Sequence, residues 1–433
     1  MPDGRPWRAL AAPLIRYASV MGIKAGNIAA GFVVTLLLAR AGGAEVLGSY
    51  AMAIQTAQLI SILAVVGCDQ LALREVAAHL RLGEKAAAGR YLRHYLRFVV
   101  PLAALVTGLF AAGVLALRQA GLPAAQEGAL IAATGFVAVN ALYLMGLGIV
   151  RGLGNAVRAQ FFDGLFTVPL AIGLGLAVLA GGRITAVPAV LAASACLAVT
   201  VAILFWLVWR QAREWETEEA AAPPPPPPVS PWREGAPMML ISFLMFFGQW
   251  LPQFLAGTLG SPGDAGAFRA AWQMAMPFAV IYTTAAMMIS ANVSGDLREG
   301  RLDAAHRRLR RNRWAMLATS LPLALPLLIW PEPILRFVFG PAFAGTAPLL
   351  QWLVGANLFA ILAGSSGAII TMSGRSRDVV PVMVASALVM LGLALALVPR
   401  FGIAGLAMAY AAGNALRVIQ GWWVARQILA GKR

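Results

Sequence analysis

The chain has 433 residues, 60% of them hydrophobic and 12% charged, with a mean hydropathy of +0.75. Soluble domains carry about 25% charged residues, so this composition excludes a water-soluble globular protein; apolar runs of about 20 residues recur from end to end and specify an all-α polytopic membrane protein. The net charge of +16 is therefore a question of loop topology before it is one of nucleic-acid binding.

In chain order, Met1 to Ile15 lacks the compact apolar core and cleavage site of a signal peptide, so the first helix is expected to stay. The hydrophobic pattern predicts twelve spans, over 17–40, 46–70, 96–117, 128–150, 160–180, 186–209, 237–258, 266–291, 314–330, 347–371, 379–398 and 403–425. With the N-terminus inside, most of the 34 Lys and Arg residues fall in inside connections, led by Arg74 to Arg97 and Arg298 to Arg313. Arg40, Arg118, Arg183, Arg336 and Arg400 fall outside, and Lys24, Arg269 and Arg417 fall within spans. This asymmetry follows the positive-inside rule. It places both termini in the cytoplasm, accounts for the basic charge, and leaves no case for a nucleic-acid partner.

The stretch REWETEEAAAPPPPPPVSPWREG separates spans six and seven. Its proline run favours extended polyproline II, a semi-rigid cytoplasmic spacer. The chain so divides into an N-terminal six-helix bundle (1–212), an acidic and Pro-rich linker (213–236) and a C-terminal six-helix bundle (237–433). An internal repeat supports that division: LLARAGGAEVLGSYAMAIQTAQ matches FLAGTLGSPGDAGAFRAAWQMA, with Gly48 on Gly266, Tyr50 on Phe268 and Gln55 on Gln273. An even number of spans per half gives both halves one orientation, so the bundles are expected to be related by a pseudo-twofold along the membrane normal, with a site near the midplane.

On span one, Lys24, Gly31 and Thr35 share a helical face with Asn27 and Arg16 on its shoulder. The repeat carries Lys24, Gly31 and Thr35 onto Ser242, Gln249 and Gln253 of span seven, whose polar face is the equivalent one. Span eight adds Arg269 and Gln273, and span two adds Gln55, Gln58 and Asp69. The expected cavity is thus walled by amides, with Lys24 and Arg269 as its charges and Asp69 at its cytoplasmic mouth. Each charge also has a local reading. Lys24 lies about 10 Å from the inner end at about 1.5 Å per residue, within reach of snorkelling. Arg269 could anchor at the outer interface, and Asp69 could pair with Arg74. Arg417 reads best as a snorkelling side chain.

No phosphate-loop motif, HExxH or CxxC occurs, and the two cysteines, Cys68 and Cys196, lie apart in apolar runs. An enzyme is not expected, and neither is a metal or cofactor.

The segment LARAGGAEVLGSYAMAIQTAQLISILAVVGCDQLALREVAAHLRLGE resembles the first-half signature of bacterial polysaccharide flippases, the O-antigen-type oligosaccharide flippases of the multidrug, oligosaccharidyl-lipid and polysaccharide exporter superfamily. PEPILRFVFGPAFAGTAPLLQWLVGANLFAI is similar to their outer turn into span ten. The resemblance covers roughly 15–425. It implies a V-shaped bundle pair working by alternating access in the bacterial inner membrane. The cargo it implies is an undecaprenyl-pyrophosphate-linked oligosaccharide, moved from the cytoplasmic to the periplasmic leaflet. Lys24, Arg269 and Arg16 would then meet the pyrophosphate, and the amides Gln55, Gln249, Gln253 and Gln273 the sugar. In span two this sequence departs from the pattern, with Gln55 and Gln58 where the family has a basic residue. Lipids and polysaccharide-assembly proteins are the expected partners, and H⁺ and Na⁺ both stay open as coupling ions. The alternative is a multidrug and toxin extrusion-type exporter, which calls for acidic residues deep in the spans; Asp69 and Asp163 both lie near cytoplasmic ends.

Overall fold

The computed structural model describes residues 6–119, 124–154, 156–216, 230–299, 301–364, 370 and 379–429. Among them every regular element is a helix. The first half comprises α1 (Pro6–Val65), α2 (Cys68–Arg81), α3 (Lys85–Gln119), α4 (Ala124–Ala132), α5 (Thr134–Gly152), α6 (Ala156–Phe162), α7 (Thr167–Leu179) and α8 (Ala186–Glu216). The second comprises α9 (Ala236–Leu259), α10 (Pro262–Arg298), α11 (Leu302–Ile329), α12 (Pro331–Phe339), α13 (Ala347–Ala363), α14 (Val379–Phe401) and α15 (Ile403–Leu429). A π-turn over Pro231–Gly235 precedes α9, and a 3₁₀ segment over Pro341–Thr346 precedes α13.

The predicted spans fall on these helices, with differences that have local causes. Spans one and two run together as α1, broken at Gly43 with φ 82° and ψ −179°. Positive φ at nearly extended ψ is open to glycine at little cost, so the helix kinks there without a loop. Span two ends at Val65 rather than 70, and Asp69 belongs to the first turn of α2. Span four is interrupted at Ala133 and span five between α6 and α7. Eight helices are long and apolar enough to cross a membrane among the described residues, and α11 with α12 forms a further candidate bent by 91°. Large apolar side chains lie exposed along them, including Leu109, Leu176 and Leu388. That surface suits lipid and would be a liability in water. The protein is multi-pass.

By compactness the chain forms two units. The first takes in Met1–Gly42 and Met52–Phe243, the second Gly43–Ala51 and Leu244–Arg433. In the first unit α2 lies against α5 at very short range. A Cβ on Gly148 would overlap the Asp69 carbonyl, and one on Gly152 would stand 3.1 Å from the Val76 Cβ. Gly148 and Gly152 form the GxxxG spacing that lets helix backbones approach closely. Ser61 and Asn140 add a buried hydrogen bond of 2.5 Å between α1 and α5. The turn between α6 and α7 is held from α5 by Tyr143, whose hydroxyl donates to the Phe162 carbonyl at 2.7 Å and accepts from the Gly164 N–H at 2.8 Å. The six-proline run of the linker lies outside the described residues, but the linker's far end docks within this unit. Arg74 pairs with Glu234, Trp232 packs edge-on against Phe98, and the Gly67 and Gly235 backbones touch.

In the second unit the start of α10 crosses the 43–51 segment of α1. A Cβ on Gly48 would overlap the Pro262 carbonyl oxygen, and a Cβ on Gly266 would overlap that of Ala44. Ser261 and Asp264 cap α10 reciprocally: the Ser261 N–H donates to the Asp264 carboxylate at 2.9 Å and the Asp264 N–H donates to Ser261 Oγ at 3.1 Å. At the other end of α10, Asp296 is 2% exposed and meets Arg308 at 2.7 Å and Arg301 at 3.4 Å. This closes the turn into α11.

The α2–α5 contact generates a prediction. Gly148→Leu must displace the Asp69 backbone, and overpacking of this kind costs at least about 1–3 kcal/mol. Its thermal melting in detergent should fall by several degrees or the protein should fail to accumulate. Gly113→Ala, where a Cβ meets nothing within 4 Å, should melt at or slightly above the wild-type temperature.

Candidate functional site

In the first unit, several predicted polar positions already have internal partners. Asn27 Nδ2 donates to the Gln160 carbonyl at 3.3 Å and to the Asp163 carbonyl, which clasps α1 to the turn after α6. Thr35 is buried and its hydroxyl donates to the Gly31 carbonyl one turn back at 3.0 Å. Asp69 accepts from Gln70 Nε2 at 2.8 Å, and burial holds its carboxyl above the usual carboxylate range despite that bond and the charge of Arg151. Its place in the first turn of α2 also favours an anion through the helix dipole. Arg74, the partner considered for Asp69, is committed to Glu75 and Glu234 instead.

Other positions are left less satisfied. Gln55 is half-buried and its Oε1 has no hydrogen-bond partner. Gln58 and Ser242 are half-buried. Lys24 is half-buried in α1, and among the described residues no ion pair or side-chain hydrogen bond engages it. The side chain of Arg16 lies outside the described set.

In the second unit, Gln253 is 1% exposed and donates through Nε2 to the Ala265 carbonyl at 2.8 Å, tying α9 to α10 beside Gly266. Its Oε1 is buried without a partner. Gln273 is buried. Arg269 is half-buried with no carboxylate partner among the described residues; its electrostatic neighbour is the Tyr50 phenol.

Gln249 opens onto a cavity of about 210 Å³ within this unit, between α9, α10, α14 and α15. The other polar groups on its wall are Trp272, Ser386, Tyr410, Asn414 and Arg417, and the charge among these is Arg417 alone. The site is built in a chain of contacts. Asn414 is buried and donates to the Ala356 carbonyl of α13 at 2.9 Å. Its Oδ1 then accepts from Arg417 Nη2 at 2.6 Å. Trp272 meets Tyr410 edge-to-face at 5.3 Å and stacks on buried Phe268 at 5.8 Å. Ser386 spends its hydroxyl on the Met383 carbonyl at 2.9 Å.

Arg417 is exposed at the edge of this cavity, where a snorkelling side chain was expected. Asn414, fixed by its bond to α13, offers a stationary acceptor one turn away, and this holds the guanidinium at the cavity. The sequence did carry a signal: Tyr410, Asn414 and Arg417 fall at i, i+4 and i+7, one stripe of α15. What it could not supply was the opposing wall from α9, α10 and α14. Chemically, the cavity joins a forked cationic donor, an amide and an aromatic corner. That set suits a phosphate oxygen beside hydroxyl-bearing groups. No group of His, Cys, Asp and Glu side chains that could hold a metal occurs among the described residues.

The fold has close counterparts among solved structures. An inward-facing multidrug resistance MATE family transporter of the MOP superfamily superposes with a TM-score of 0.73 at 16% identity, covering 96% of this chain and 98% of that one. The lipid II flippase MurJ in its inward closed conformation gives 0.69 at 12% identity, covering 94% and 87%. A MOP superfamily transporter from Pyrococcus furiosus gives 0.64 at 17% identity, covering 97% and 95%. At such identities the likeness shows the fold alone. A search of curated protein sequences finds no match. The family model for polysaccharide biosynthesis proteins, however, matches residues 17–291. The chain belongs to the polysaccharide biosynthesis protein family, in the helical fold of the MOP-superfamily transporters and flippases.

Proposed function

We propose that this protein is a flippase for a polyprenyl-pyrophosphate-linked oligosaccharide in polysaccharide biosynthesis. It would move that cargo from the cytoplasmic to the periplasmic leaflet of the bacterial inner membrane by alternating access, with both termini cytoplasmic. The observation that carries this reading is the charge of the second unit's cavity: Arg417 stands on its wall with no carboxylate beside it. Beyond its bond to Asn414 the exposed guanidinium has further donors to offer, and a ligand anion is the partner that would take them. The pyrophosphate would take the Arg417 fork, which Asn414 holds in place. Sugar hydroxyls would meet Gln249, and the apolar sugar faces would lie on the Trp272–Tyr410 corner.

Lys24 and Arg269 support the same reading from elsewhere in the chain. Each is half-buried in an apolar helix with no carboxylate partner among the described residues. Both would serve as further phosphate contacts along the path. H⁺ or Na⁺ could drive the cycle, and polysaccharide-assembly proteins would act before and after it.

The MATE-family likeness favours a second reading, export of drugs. Cationic drugs would need acidic partners, and the cavity offers an arginine instead. For the Pyrococcus furiosus transporter, too, a binding pocket of reverse polarity suggests a different function.

The test is complementation of a strain lacking the gene, scored by surface polysaccharide at matched protein levels. A charge-assisted contact contributes about 1.5–3 kcal/mol, so Arg417→Ala should lower the transport rate by roughly 10- to 100-fold. Arg417→Lys should recover part of it, since it keeps the charge but loses the fork. Wild-type polysaccharide from Arg417→Ala would overturn the cavity as the site.

Lys24→Ala and Arg269→Ala are expected each to reduce polysaccharide, and the double variant more than either. Drug susceptibility of the same strains should not change. Strong drug efflux without a glycan defect would reverse the choice between the two readings.

A further inference from the structure

A second concavity of the second unit lies apart from the Arg417 cavity. It is about 280 Å³ in volume and is lined by Phe359, Leu362 and Ala363 of α13, Val418, Ile419 and Trp422 of α15, and Arg313 of α11. The wall is apolar except for that arginine. Phe359, Leu362, Ile419 and Trp422 are 39%, 52%, 53% and 44% exposed, so the groove is open along its length rather than enclosed.

Its charged end is built. The Nε of Arg313 is buried and has no hydrogen-bond partner, and no carboxylate engages the side chain among the described residues. The guanidinium lies over Gly364, which ends α13 with φ +84°; a Cβ there would stand 3.2 Å from Nε and Nη2. Glycine thus both adopts the turn and leaves room for the cation. Arg426 flanks the same end, 5.3 Å from the Trp422 ring centre. Arg313 closes the basic connection that the positive-inside rule puts in the cytoplasm, so this end lies at headgroup depth.

An apolar groove with a half-buried guanidinium at headgroup level, its Nε buried and unpaired among the described residues, has the complementarity of a lipid phosphate, and basic pockets between membrane helices on the cytoplasmic side bind such headgroups. We infer that the groove between α11, α13 and α15 holds an anionic phospholipid of the cytoplasmic leaflet. Its phosphate would accept from Arg313, and one acyl chain would lie along Phe359, Leu362 and Ile419. The inference does not rest on the proposed cargo.

The experiment is native mass spectrometry of the full-length protein, delipidated in detergent and titrated with phosphatidylglycerol or phosphatidylcholine. Phosphatidylglycerol should be retained at least about fivefold better, and Arg313→Gln should abolish that preference while leaving the melting temperature unchanged. If Arg313→Gln does not fold, Leu362→Trp, which fills the groove from its exposed edge, should remove the bound lipid. Equal retention of the two lipids, or unchanged preference in the variants, would overturn the inference. So would displacement of phosphatidylglycerol by equimolar decaprenyl phosphate, which would give the groove to the carrier lipid instead.

Discussion

The close crossing of Gly48 and Gly266 is the constraint on which much of the second unit depends. The two glycines are equivalent in the internal repeat, and so are the groups they touch. Gly48 meets the Pro262 carbonyl and Gly266 meets that of Ala44, and the repeat register carries Ala44 onto Pro262. The contact is therefore self-complementary: each copy supplies the ridge that the other's glycine receives. Such an isologous arrangement tolerates no side chain on either partner, and it fixes the depth at which α10 enters. Gln253 and the Ser261–Asp264 cap then lock α9 and the start of α10 around it. Arg269 and Trp272 follow on α10 within two turns, so the positions of both are set by that crossing.

A second constraint is electrical. In apolar helices a polar group needs an internal partner or a functional one. Asn27, Thr35, Asp69 and Asn414 have internal partners: a neighbouring turn, a carbonyl one turn back, Gln70 and the Ala356 carbonyl. Asp296 likewise is met by Arg301 and Arg308. Carboxylates are thus consumed near helix ends while Lys24, Arg269, Arg313 and Arg417 keep their charges free of carboxylates among the described residues. That arrangement is the one the anionic cargo proposed above calls for.

The membrane class, the helix pattern and the repeat were legible because each is written in long, redundant signals. Twelve apolar runs and a skewed distribution of arginines survive many local irregularities. The repeat could be read at Gly48 and Gly266 because close backbone contact leaves one residue type possible. The breaks were not legible. Interruptions at Ala133 and between α6 and α7 carry no proline, and the second is held by tertiary clasps from Asn27 and Tyr143 that no local pattern records. The same is true of Asp69, whose neighbour Arg74 is captured by Glu234 from 160 positions away. For the site, helical stripes identified Gln249 and Gln253 together, yet one faces a cavity and the other is 1% exposed and bound to a carbonyl. A stripe gives a direction about one axis and says nothing of what stands opposite.

Arg417 shows how that missing information changes chemistry. Considered along α15 alone, it is a long cationic side chain near a helix end, with a stem free to reach the interface. The acceptor it meets is set from α13, which it does not belong to. The Ala356 carbonyl takes the Asn414 amide, and this orientation turns the Asn414 oxygen toward Arg417. With the Asn414 amide engaged by α13, the guanidinium finds an acceptor on one edge and has donors to spare. Five N–H groups in a rigid fork are more than one amide can occupy. That surplus is what the pyrophosphate proposed above would occupy, with the Trp272–Tyr410 corner beside it for the sugar.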